Sequence, residues 1–104
     1  MNKFYSMLGI GKKAGFIISG ETGCLQAIKK SKCKLLILAS DASDNTKDRF
    51  MSLCSKNNIR LIIFGYKAEL GSAIGKGLTS IVAVVDDRFS NTLLGVISKG
   101  ITCK

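Results

Sequence analysis

Lys34-Leu35-Leu36-Ile37-Leu38-Ala39-Ser40-Asp41-Ala42-Ser43 is the stretch that decides the fold of this chain. Residues 35–39 are apolar without a break, about the length of a strand, and show none of the alternation of a strand with one wet face. Such a run reads as a strand covered on both sides. The polar residues 40–46 that follow hold the Ser, Asp and Asn side chains that turn a chain and start a helix.

Working outward, the neighbouring segments supply the covering helices. Phe4, Met7, Leu8 and Gly11 recur at i, i+3, i+4 and i+7, one face of a helix that ends near Lys13 with Gly15 as its cap. Residues 16–18 form a short apolar strand, and Ser19 and Gly20 open a second helix with Cys24, Leu25 and Ile28 inward. A third helix turns Phe50, Leu53 and Cys54 inward and stops at Asn57 and Asn58. Residues 61–64 read as a strand, Tyr66, Leu70, Ala73 and Ile74 mark a short fourth helix, and residues 81–85 form the last strand. Phe89, Leu93, Val96 and Ile97 lie on a final helix. The prediction is an α/β protein, a three-layer α/β/α sandwich with a four-stranded sheet, in one domain over residues 1–104.

Composition narrows the function. The chain has 104 residues, 46% hydrophobic, enough for one core, and its apolar runs fall far short of the roughly 18 residues of a membrane helix. No apolar leader precedes Lys12 and Lys13, so a cytoplasmic protein with no membrane association is expected. Cys24, Cys33, Cys54 and Cys103 show no C-x-x-C spacing, and no histidine could complete a metal site. Free thiols and no metal are expected, with Cys24 and Cys54 on apolar helix faces, Cys33 just before a strand and Cys103 in the tail.

The net charge is +9, and it is unevenly spread: Lys3, Lys12, Lys13, Lys29, Lys30, Lys32 and Lys34 face the single acid Glu21 in the first 34 residues. A concentrated cationic segment implies an anionic partner, with nucleic acid the leading candidate over a merely solvated surface. Catalytic chemistry is poorly represented: without histidine, the only adjacent carboxylates are Asp86 and Asp87. No enzyme, cofactor or small-molecule substrate is therefore expected. Residues 71–77 imitate a phosphate-binding loop but are one residue short, lack the Ser/Thr after lysine, and follow a helix. Asp41, just past a buried strand, stands where receiver domains carry a phosphorylated aspartate, although a turn or helix-start acid is the simpler reading.

Several short motifs combine into one pattern: Gly11-Lys12-Lys13-Ala14-Gly15, Ser19-Gly20, Ala27-Ile28, residues 34–43, Asn45-Thr46, and Leu70-Gly71 through Gly75-Lys76. Together they resemble the kink-turn-binding ribosomal proteins, the L-seven-Ae and L-thirty-e superfamily, and within it the small bacterial YlxQ-type branch, over nearly the whole chain. The resemblance implies an α/β/α sandwich that binds kinked RNA through the start of the second helix and the loop before the last strand. It further implies structured RNA, ribosomal or otherwise, as partner, an association that can include ribosomal proteins, and neither cofactor nor catalysis.

The site residues so implied are Gly20, Glu21, Thr22, Gly23 and Gln26 on the helix, Lys76, Leu78 and Thr79 on the loop, and Lys12, Lys13, Lys29 and Lys30 as flanking charge. In the superfamily the helix opens Gly-x-Asn-Glu-x-x-Lys; here only Gly20 is retained, with Thr22, Gly23 and Gln26 at the other three positions. This departure removes an amide, a carboxylate and a charge, so reduced base specificity is expected. The alternative is a protein-interaction module on the translation machinery that does not read RNA.

Overall fold

The computed structural model describes residues 3–102. The elements in chain order are α1 (Lys3–Ala14), β1 (Ile17–Ser19), α2 (Glu21–Lys29), β2 (Leu35–Leu38), α3 (Asp44–Lys56), β3 (Arg60–Ile63), α4 (Lys67–Ala73), β4 (Ile81–Val84) and α5 (Asp87–Thr102). The strands form one mixed sheet in the order β1-β4-β2-β3, with β4 antiparallel to β1 and β2, and β2 parallel to β3. Helices α1, α4 and α5 cover one face and α2 and α3 the other.

Two separate cores explain the unbroken apolar run. Leu35, Ile37 and Ala39 point into the first, with Phe4, Leu8, Leu70, Phe89 and Leu93. Leu36 and Leu38 point into the second, with Cys24, Ile28, Phe50 and Cys54. Every residue of β2 is fully buried, because successive side chains leave a strand on opposite faces and both faces are covered here.

Two helix faces differ in detail from the expectation. The buried residues of α2 are Cys24, Ala27 and Ile28, whereas Leu25 is half-buried at the margin; one residue is a 100° step on a helix, and Leu25 overshoots the seam. Tyr66 does not turn inward either. It is the residue before α4, 57% exposed, while Leu70 and Ile74 are buried in the core.

The helix ends follow the polar residues. Ser43 caps α3, its Oγ accepting the Thr46 N–H at 3.2 Å. Asp41 accepts the Lys67 N–H at 2.8 Å, so it is a helix-start acid for α4 rather than for the helix that follows it in sequence. Cys24, Cys33 and Cys54 are free and buried in the α2/α3 core. Burial, then the neighbouring thiols, pushes Cys24 and Cys33 up to about 12, and burial also raises Cys54. Cys103 lies outside the described residues.

The sheet has two distinct ends. At one, Leu38 pairs with Ile81 and Ile63; at the other, Leu35 pairs with Val84 and Arg60.

Candidate nucleic-acid interface

At the Leu38 end of the sheet, β1 runs into α2 while the loop after α4 runs into β4. These two connections face each other across a cleft of about 460 Å³, with Ser19, Gly20 and Glu21 on one lip and residues 76–81 on the other. A backbone bond from the Gly20 N–H to the Ile81 carbonyl, 3.2 Å, ties the lips at their base.

Gly20 has φ 87 and ψ 154, a conformation open essentially to glycine alone. A Cβ there would meet nothing within 4 Å, so backbone conformation rather than crowding requires the glycine. With no cap side chain, the N–H groups of the first turn of α2 open toward solvent, a favourable setting for an anion. Thr22 and Gln26 are both exposed and stand at i and i+4, on one stripe of the helix. Gly23 is different. It is half-buried, and a Cβ on it would lie 2.8 Å from Ile18 Cγ2, so α2 sits closer to β1 than a side chain would permit.

The opposite lip is a loop pressed onto α4. Gly71 of α4 is buried beneath it, the Lys76 N–H donates to the Gly71 carbonyl at 2.8 Å, and the Thr79 N–H donates to the Lys67 carbonyl at 3.1 Å. Thr79 is itself buried, and its hydroxyl donates to the Gly77 carbonyl at 3.4 Å, so it shapes the loop from within. Lys76 is exposed on this lip, and Leu78 is 73% exposed, the most exposed large apolar side chain among the described residues.

Glu21 brings in two residues that sequence reasoning missed. Its carboxylate accepts from Arg49 at 3.3 Å and from the Thr46 hydroxyl at 3.4 Å, joining the first turn of α2 to the first turns of α3. Arg49 and Glu21 are about half exposed, at 53% and 47%. No local signal could have found this group, since Thr46 and Arg49 lie 25 and 28 positions beyond Glu21.

The four flanking lysines are not gathered at the cleft. Lys12 and Lys13 end α1 and line a neighbouring groove with Ile74 and Gly75, one residue along the loop from Lys76. Lys29 and Lys30 close α2 at the Leu35 end. A nine-residue helix separates them from Gly20, about 13 Å at 1.5 Å per residue.

A glycine at a helix start thus faces an exposed leucine on a clamped loop. The family model described as ribosomal protein L7Ae/L30e/S12e/Gadd45 matches residues 2–94. The chain belongs to that family. Among its relatives, RNA-binding protein YlxQ of Bacillus subtilis (strain 168) is 30% identical over 95 residues, covering 91% of this chain and 95% of that protein. RNA-binding protein YlxQ of Enterococcus faecium is 30% identical over 88 residues, covering 85% and 84%. Among solved structures, a Bacillus halodurans protein of unknown function superposes with a TM-score of 0.89 at 32% identity, covering 94% of this chain and 99% of the other. The 15.5 kD RNA binding protein of Giardia lamblia shares the fold, with a TM-score of 0.75 at 21% identity over 91% and 82% of the two chains. Within the L7Ae/L30e/S12e/Gadd45 family, this chain shares the α/β fold of its solved relatives. No helix among its described residues is long and apolar enough to cross a membrane.

Proposed function

We propose that this chain is a non-catalytic, cytoplasmic protein that binds structured RNA, ribosomal or otherwise, holding a kinked segment in the cleft with reduced base specificity. One observation carries the reading: the open first turn of α2, Lys76 and the exposed Leu78 share one cleft. The helix start and Lys76 offer phosphate contacts, and Leu78 offers an apolar face for an unstacked base. The names of the two YlxQ relatives support RNA as the partner. Thr22 and Gln26 present hydrogen-bonding groups without charge, which suits backbone and sugar contacts better than a bidentate grip on guanine.

The test is titration of the parent, a Lys76→Ala/Leu78→Ala variant and a Thr22→Asn/Gln26→Lys variant against a kink-turn RNA and its guanine-to-cytosine control at fixed salt. Truncating the two loop side chains should weaken binding, and the helix double substitution should raise both affinity and guanine discrimination. Loop variants that bind as the parent does would overturn the placement in the cleft. A protein-interaction module, free of RNA, has one observation in its favour. A groove of about 400 Å³ runs between α1 and α4 past Tyr5, Gly9, Ala68 and Ser72, and Ile10 beyond it is 59% exposed. Association through that groove would be insensitive to salt, whereas RNA binding is not.

A further inference from the structure

The densest positive charge of this molecule is not at the cleft. Lys29 and Lys30 end α2, Lys32 and Lys34 follow on the connection into β2, Lys56 ends α3, and Arg60 opens β3. All six are exposed. The topology brings them to one pole. Leu35 and Arg60 are register partners in the parallel pair β2/β3, and Ser31 and Lys34 share a depression of about 280 Å³ with Asn57 and Asn58.

No Asp or Glu occurs in residues 22–40 or 49–68, the two segments that build this pole, and among the described residues none of the six cations is in an ion pair. Asp86 and Asp87 lie at the same end of the sheet but lead into α5, which packs on the opposite face. The cleft end, by contrast, holds Glu21, Asp41, Asp44 and Asp48 beside its cations. Helix dipoles account for Lys29, Lys30 and Lys56 in or beside final turns, but not for Lys32, Lys34 and Arg60.

We infer that this pole is a second binding surface, one that takes the phosphate backbone of an RNA helix without reading its bases, while the cleft holds a different RNA segment. The inference rests on the proposed RNA-binding role and adds to it: the protein clamps two RNA segments at opposite ends of its sheet. The chemistry of the pole favours nucleic acid over an acidic protein. Its polar neighbours are Ser31, Asn57 and Asn58, donors suited to phosphate and sugar. None of the large exposed apolar residues, Ile10, Met51, Ile63, Tyr66 and Leu78, lines the depression, and a protein interface needs an apolar centre where a nucleic-acid interface does not.

The experiment uses two labelled probes, a kink-turn RNA and a plain RNA duplex with no internal loop, with the full-length chain. Three variants are compared with the parent: Lys32→Glu/Lys34→Glu/Arg60→Glu at the pole, its milder Gln counterpart, and Lys76→Glu/Leu78→Asp at the cleft. The pole reversal should lower duplex affinity by about tenfold or more and flatten its log-log salt slope by roughly 2, at about 0.7 to 0.9 for each phosphate no longer neutralised. It should leave kink-turn affinity within about threefold at moderate salt, and the Gln variant should fall between. The parent alone should bring the two probes together in one complex, read as energy transfer between their labels. If the cleft variant abolishes duplex binding while the pole reversal spares it, there is one RNA surface and the inference fails. A pole that ignores the duplex but retains a polyglutamate peptide also overturns it, assigning the pole to a protein. Duplex binding abolished by the pole reversal, with kink-turn binding indifferent to the cleft variant, would sink the cleft reading and with it the two-segment clamp, leaving the pole as the RNA surface. A parent that binds neither probe overturns both.

Discussion

Alanine at Gly71 should destabilise the protein although it improves the helix. In an exposed helix interior Gly→Ala gains up to about 1 kcal/mol. At Gly71 the new Cβ would sit 1.5 Å from the Gly77 carbonyl oxygen and 2.7 Å from its carbon, both backbone atoms that no rotamer change can move aside. Since real Cβ atoms essentially never approach another heavy atom below 3.0 Å, the loop must retreat by about 1.5 Å. Overpacking of this kind costs about 1 to 3 kcal/mol, and loss of the Lys76 and Thr79 backbone bonds to α4 adds about 1 kcal/mol. Set against the helix gain, the net loss is about 1 to 3 kcal/mol, or roughly 4 to 8 °C in Tm per kcal/mol. Gly95→Ala is the control, in α5 with nothing within 4 Å of the new Cβ, and it should stabilise by up to about 1 kcal/mol. Urea and thermal unfolding of both variants, with RNA titration beside them, decide the matter. Gly71→Ala melting at or above the parent, or binding RNA as the parent does, would refute the claim that α4 clamps the loop.

Other outcomes are expected. The native thiols of Cys24, Cys33 and Cys54 should resist alkylation at pH 8 and react on unfolding, and intact mass after denaturing alkylation should show all four cysteines of the chain free. Because burial holds Cys24 and Cys33 near 12 against an ordinary 9, the folded state keeps protons that the unfolded state releases. The contribution of these thiols to stability should therefore be constant below pH 9 and be lost between 9 and 12, by up to about 1.4 kcal/mol per pH unit for each, with Tyr5, also pushed up to about 12, adding to the loss above pH 10, as urea unfolding across that range would show. Glu21→Gln removes a negative charge from the cleft and should tighten RNA binding, while Arg49→Ala should cost under about 1 kcal/mol of stability because that pair is half exposed. Gly23→Glu should destabilise through its clash with Ile18, and Ile18→Ala should relieve it in a double-mutant unfolding cycle.

The layers were legible in the sequence because their signal is local. Residues 35–39 announce a strand covered twice, and α1, α3 and α5 each carry an apolar stripe at helical spacing that packs against the sheet. Strand order was not legible, since nothing near Ile81 says that β4 runs antiparallel between β1 and β2. The site divides the same way. Gly20 and the 76–79 loop are visible as short motifs, but their meeting depends on the sheet. Lys29 and Lys30 show the converse, for they follow Gly20 closely in sequence and α2 carries them to the far pole. Gly23 is legible only in three dimensions: a missing carboxylate in sequence is close packing against Ile18 in space.

The bond between Gly20 and Ile81 fixes how the cleft meets whatever enters it. Its two lips rise from β1 and β4, adjacent strands of one sheet, so the gap at their base is set by the interstrand repeat of about 4.8 Å rather than by the reach of either loop. At its base, a cleft gauged in this way does not widen to suit its occupant without breaking the ladder. On the proposed function, the conformational adjustment on binding falls to the RNA, and sequences that already populate the fitting shape would be selected by their own stiffness as much as by any side chain that touches them.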